Sequence, residues 1–171
     1  MKSIVIYSSL TGNTKQVAEA ITSVLPVGTP CVSMKELPPD VSSYDLVFAG
    51  FWVDKGTANK EALDVLGILH NPHIALFATA GVPPQMAHAK ESLINAANCL
   101  PDGVEPVGTF ICQGKVDPKV IEMMYKMFPK GHSHGQSADR DARHKQAAVH
   151  PNEDDFKAAQ DFAKDILTKL G

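Results

Sequence analysis

The feature that most constrains this chain is a short apolar run followed at once by a polar, glycine-containing turn and a helical pattern. Ser3–Ser8 (SIVIYS) is almost continuously apolar and β-branched. Such a run suits a strand buried on both faces, as in the middle of a parallel sheet. Tyr44–Phe51 (YDLVFAGF), His73–Thr79 (HIALFAT) and Val107–Cys112 (VGTFIC) read the same way. Thr29–Met34 (TPCVSM) is a weaker strand and an edge candidate, because Pro30 has no N–H to give to a ladder.

Between these runs the apolar period changes to that of a helix. Asn13–Leu25 places Val17, Ala20, Ile21 and Val24 on one face, and Asn59–Leu69 does so with Leu63, Leu66 and Leu69. Pro84–Leu100 carries Ala89, Leu93, Ala96 and Ala97, and Pro118–Phe128 carries Val120, Met123, Met124 and Met127. A last helix is expected after Asn152, a capping residue followed by Glu153, Asp154 and Asp155. Strands alternating with helices predict an α/β chain: a doubly wound, five-stranded parallel sheet with right-handed crossovers and helices on both faces. Residues 1–171 read as one domain, a length that supports a substantial core. In such sheets ligands bind beyond the carboxyl ends of the strands, where strand order reverses.

The turn after the first strand reads Ser8-Ser9-Leu10-Thr11-Gly12-Asn13-Thr14. A phosphate needs converging donors, and a helix N-terminus supplies free N–H groups at its positive end. Ser9, Thr11 and Thr14 add hydroxyls, Asn13 adds an amide, and Gly12 permits close backbone approach. An ordinary polar helix cap is the alternative reading. The GxxxxGK[ST] and GxGxxG loops are both missing, which argues against a nucleoside triphosphate or a dinucleotide.

Ser-x-x-Thr-Gly-Asn-Thr after an N-terminal strand resembles the flavodoxin signature, and the spacing of the later strands resembles short-chain flavodoxins along essentially the whole chain. The resemblance implies a 2-1-3-4-5 sheet, non-covalent flavin mononucleotide (FMN) and one-electron transfer. Leu10 stands where the family usually has a hydroxyl residue, so a side-chain bond is lost while the backbone N–H is kept. By the same resemblance, the flavin ring would be held by the loops after the third and fourth strands. The first contains Phe51, Trp52, Val53, Lys55 and Gly56, and the second Thr79, Ala80 and Gly81. Trp52, the sole tryptophan, offers a stacking surface for the ring, packing against a helix being the alternative. The Lys55–Gly56 peptide is a candidate for flipping near flavin N5, with a plain turn glycine as the other reading. The fourth-strand loop has neither the aromatic nor the acidic residue that many flavodoxins carry there.

Pro129–Pro151 is expected to be a long His-rich loop before the last helix, with His132, His134, His144 and His150 among its residues. It suits a lid or a partner-docking arm, and two flexible histidines at 132 and 134 fall short of a metal site. Cys31, Cys99 and Cys112 are too scattered for a disulfide framework or a zinc site, which favours reduced thiols and a cytoplasmic location. No apolar run reaches the length of a membrane span, and a formal charge of −3 gives no footprint for nucleic acid.

The resulting functional expectation is an FMN-binding electron carrier serving a redox partner protein, a reductase or dehydrogenase, and a member dedicated to one reductase suits the weak net charge. Two alternatives stand beside it. One is an FMN-dependent reductase or oxidase with its own small substrate, such as a quinone or tetrapyrrole. The other is a non-redox binding domain that kept the fold. No nucleophile–base pair or carboxylate dyad marks a catalytic residue.

Overall fold

A computed structural model describes all 171 residues. Its centre is a parallel sheet of β1 (Ser3–Tyr7), β2 (Cys31–Ser33), β3 (Leu46–Asp54), β5 (His73–Ala80) and β6 (Gly108–Gln113), in the order β2-β1-β3-β5-β6. That is the expected doubly wound order with one addition. A two-residue strand, β4 (Thr57–Ala58), pairs antiparallel with the end of β3.

The continuous apolar runs arise because both faces of the sheet are covered. Along β1, Ile4 and Ile6 join one core layer and Val5 the other. Along β3, Val47, Ala49 and Phe51 alternate in the same way with Leu46 and Phe48. One layer is closed by α2 (Lys60–Leu66) and α3 (Ala87–Ala97). The other is closed by α1 (Asn13–Thr22) and α6 (Glu153–Leu170), where Phe162 meets Phe48 edge-on at 6.2 Å between centroids. Gly50 is required by this packing: a Cβ there would sit 2.1 Å from the ring of Phe77, its partner across β3 and β5.

The helix caps follow from local chemistry. Asn152 accepts from the N–H groups of Asp154 and Asp155, while the Asp155 side chain accepts from the N–H of Asn152, a complete capping box. Asp117 accepts from Lys119 N–H at 2.8 Å and starts α4 (Pro118–Met127) with proline in the first turn.

One expectation is corrected. The 129–151 segment is not a structureless loop, because α5 (Ala138–Ala147) occupies its second half. Ser137 caps that helix, Asp139 and Asp141 lie in its first turn, and His144 and Lys145 lie in its last. Only Ala147 of α5 is buried, so it lacks the apolar stripe by which a helix is recognised in sequence. The Val120–Met127 stripe forms a helix as expected, α4, and none of that helix's residues is buried.

Candidate functional site

A cleft of about 240 Å³ opens at the carboxyl ends of β1, β3, β5 and β6. The chain turns from β1 out to β2 on one side and returns through β3 on the other, so the sheet places this opening at the point of reversal.

One end of the cleft is the turn into α1. Ser9, Leu10, Thr11, Asn13 and Thr14 line it. Gly12 is the N-cap of α1 at φ 96°, and the helix begins with no side-chain cap and no acidic residue in its first turn. Its leading N–H groups therefore present a positive end with no internal anion against them. Ser9 Oγ accepts from Gly12 N–H at 3.1 Å, which leaves the Ser9 hydroxyl proton free to donate. Thr14 Oγ1 lies 2.9 Å from Thr79 Oγ1 in a buried pair. One hydroxyl of that pair uses its proton internally, and the other keeps a proton for a further acceptor. The Asn13 amide has a different task from the one expected of it. Its Nδ2 donates to the Lys115 carbonyl at 2.9 Å and so joins the turn to the segment after β6.

Beneath this turn, Ser8 Oγ donates to Glu61 at the start of α2 and accepts from Asn59 Nδ2 at 2.8 Å. These bonds fix the exit of β1 from below.

The other walls are more apolar. Trp52 is half-buried, sits beside Thr79 across β3 and β5, and lines the cleft with Val53 and Asp54. Its indole N–H has no partner within the chain, so the ring is held by packing alone. Thr79, Ala80 and Gly81 line the cleft from β5. Phe51 lies elsewhere: it is fully buried in the core layer under α2. Strand parity is the reason, since neighbouring residues face opposite sides of the sheet.

Lys55 and Gly56 also lie outside the cleft lining. They form the two-residue turn of the β3–β4 hairpin, with positive φ of 50° and 80°. Positive φ at both positions is the type I′ pattern, whose twist matches the flanking strands. Asn95 Nδ2 holds the Gly56 carbonyl at 2.8 Å from α3. Flipping the Lys55–Gly56 peptide would move Lys55 into backbone space that glycine alone occupies readily, so this peptide is a poor hinge.

The fourth wall was not anticipated from sequence. Gly114, Lys115, Val116, Asp117 and Val120 close the cleft from the segment after β6. Lys115 N–H donates to the His150 carbonyl at 2.9 Å, and Gly114 N–H to that of Ala80 at 2.8 Å. Val116 and Val120 supply aliphatic surface beside the small residues of β5. Of the groups in this part of the sheet, Cys112 is strongly perturbed: burial, with Asp155 adding to it, pushes its thiol up to about 12. No group of three or more His, Cys, Asp or Glu residues is placed to hold a metal, and no helix is long and apolar enough to cross a membrane.

Known proteins share both the fold and the sequence. The flavodoxin domain family model matches residues 4–164. The flavodoxin-like domain-containing protein BilS of Clostridioides difficile is 36% identical over 176 residues, covering 99% of this chain and 98% of that protein. Oxidised flavodoxin 2 of Bacillus cereus superposes with a TM-score of 0.58 at 15% identity over 99% of both chains. The Fusobacterium nucleatum flavodoxin bound to flavin mononucleotide gives 0.54 at 12% identity, again over 99% of both. At such identities the two structures speak for the fold, while the family match and the BilS relative speak for descent. On these grounds the chain belongs to the flavodoxin family.

Proposed function

We propose that the cleft holds FMN and that the chain carries single electrons to a redox partner protein. The observation that carries this reading is the uncapped N-terminus of α1 behind Gly12, set at one end of a cleft whose other walls are largely apolar. Bound FMN supplies one-electron chemistry, and the residues around it position it and set its surroundings.

The residues divide by chemistry. The N–H groups of Leu10, Thr11, Asn13 and Thr14, with the hydroxyls of Ser9 and Thr11, suit the phosphate. Thr14 and Thr79 tie that turn to β5 and offer one further proton between them. Trp52 offers an aromatic face to the ring, and Val116 and Val120 offer aliphatic surface from the segment after β6. Asp54, Asp117 and Lys115 set the charge around the cleft, so its mouth combines both signs.

Three measurements test the reading. Freshly purified protein should show a flavin absorption spectrum, with the flavin extracted as FMN. Apoprotein should bind FMN far more tightly than riboflavin, which has no phosphate; equal affinities would refute the assignment of the Leu10–Thr14 turn. The loaded protein should leave NAD(P)H unoxidised when no partner is present. Rapid oxidation by the isolated chain would make it a stand-alone reductase.

A further inference from the structure

Helix α4 has the period of a buried helix without the burial. Val120, Met123, Met124 and Met127 recur at the spacing that normally packs against a core, yet α4 buries none of its residues. Val120 lines the cleft, while Met123 and Met127 are 56% and 67% exposed. The stripe therefore begins at the proposed flavin site and runs outward into solvent.

The helix is not a loose appendage. Tyr125 donates to Asp141 Oδ1 at 3.0 Å and lies 3.2 Å from His144 Nδ1, which docks α5 against α4. Phe128 stacks on His132 at 4.6 Å between centroids. The Lys115–His150 backbone bond returns the end of this arm to the cleft wall. A built surface thus extends from the cleft along residues 115–150.

Its charge is opposite to that of the rest of the chain. Residues 115–150 hold seven Lys and Arg against four Asp and Glu, a net +3 in a chain whose formal total is −3. The remaining residues thus carry −6. Much of the positive charge is unengaged: Lys119, Lys130, Arg143 and Lys145 make no ion pair, whereas Lys126 is bound to Glu122 at 2.9 Å. The acidic residues are more occupied, with Asp117 capping α4 and Asp141 accepting from Tyr125 and Gln136.

From this juxtaposition we infer that α4 and the arm through Ala147 form the docking face for an electron-exchanging protein whose own contact surface is acidic around an apolar centre. Methionines adapt their shape to such a centre, and the net positive charge of the same segment steers an acidic partner into place. The inference rests on the FMN reading for its electron, but the surface itself is testable separately.

The test is a nuclear magnetic resonance titration of isotope-labelled, FMN-loaded chain. One probe is the soluble domain of cytochrome b5, an acidic haem protein; the other is cytochrome c, a basic one. Cytochrome b5 should shift amides within residues 117–147 in a manner that weakens with salt, and cytochrome c should leave that face alone. The triple variant Lys119→Glu, Lys130→Glu, Lys145→Glu should bind cytochrome b5 about tenfold more weakly at low salt with its flavin spectrum unchanged. Met123→Ser with Met127→Ser should weaken binding several-fold while leaving the salt dependence intact. Shifts confined to another face, or a preference of α4 for cytochrome c, would overturn the inference. So would shifts that follow the concentration of the chain itself, or binding to anionic phosphatidylglycerol vesicles without binding to cytochrome b5. If the purified chain retained no flavin, the FMN reading would fail, and the same titration on the flavin-free chain would still decide the docking face.

Discussion

Gly12→Ala isolates what the backbone of the phosphate turn contributes. Gly12 sits at φ 96°, and a Cβ built there meets nothing within 4 Å. The substitution therefore carries no packing clash, and its cost is the backbone strain of an L-residue at positive φ, about 1–2 kcal/mol. In the FMN-loaded chain of 171 residues, which has to keep the strained form, that strain should lower Tm by about 2–8 °C. The flavin-free protein can relieve it by turning the Gly12 peptide, which spoils the arrangement of N–H groups at the start of α1. Binding the phosphate then has to restore the strained form, so FMN affinity should fall by up to the same energy, about 5- to 30-fold. Riboflavin affinity should not change. Gly103→Ala is the matched control, because Gly103 has φ 80° with nothing within 4 Å and lies outside the cleft lining. It should lower Tm comparably and leave FMN binding intact. Fluorescence titration of apoprotein with each flavin, beside thermal unfolding, reads all of these quantities. Equal losses for FMN and riboflavin, or a lower Tm with FMN affinity untouched, would refute the reasoning.

Four further outcomes are expected. Trp52 lines the cleft, so adding FMN to apoprotein should strongly quench the emission of this sole tryptophan, and unchanged emission would return Trp52 to a packing role. Exposed Cys99 should react quickly with a disulfide reagent at pH 8 while buried Cys112 stays inert until unfolding. Above pH 9.0 the unfolded chain loses the Cys112 proton that the folded chain keeps up to about 12, so stability falls through that window, and Cys112→Ala should flatten the decline. Asn152→Ala removes the capping box of α6 and should cost about 1 kcal/mol in urea unfolding, or about 2–4 °C in Tm, with no change in the flavin spectrum.

The sheet was legible because its physics is local and repeated. β1, β3 and β5 are buried on both faces, so nearly every residue in each is apolar, and the runs stand out without knowledge of their partners. The β4 hairpin escaped notice for the opposite reason. Its turn uses Lys55 where Asn, Asp or Gly is the usual type I′ signal, and its return strand is two residues long. Helix α5 escaped because helix formers such as Ala, Arg, Lys and Gln carry no apolar period when only one residue is buried. Phe51 shows the cost of ignoring parity: it shares a face with Val47 and Ala49, whereas Trp52 takes the opposite one.

The cleft was legible in proportion to how much of it is contiguous in sequence. The Ser9–Thr14 turn concentrates donors within one segment, and a strand-to-helix junction already implies where they point. Its fourth wall depends on Asn13 Nδ2 reaching the Lys115 carbonyl, a bond that spans 102 residues and leaves no periodic trace. The rule that directs attention to the carboxyl ends of strands applies equally to β6, and Gly114 beside that end was the available signal. Helix α4 presents a deeper ambiguity. An apolar stripe at helical spacing shows that a face seeks a partner, but not whether the partner is the protein's own core. Met123 and Met127 satisfy the pattern equally well in either case. Distinguishing them requires knowing that the layer beneath β5 and β6 is already closed by α1 and α6, through Phe48, Phe110 and Phe162. α4 buries none of its own residues, so its stripe faces outward, and it does so from the edge of the cleft.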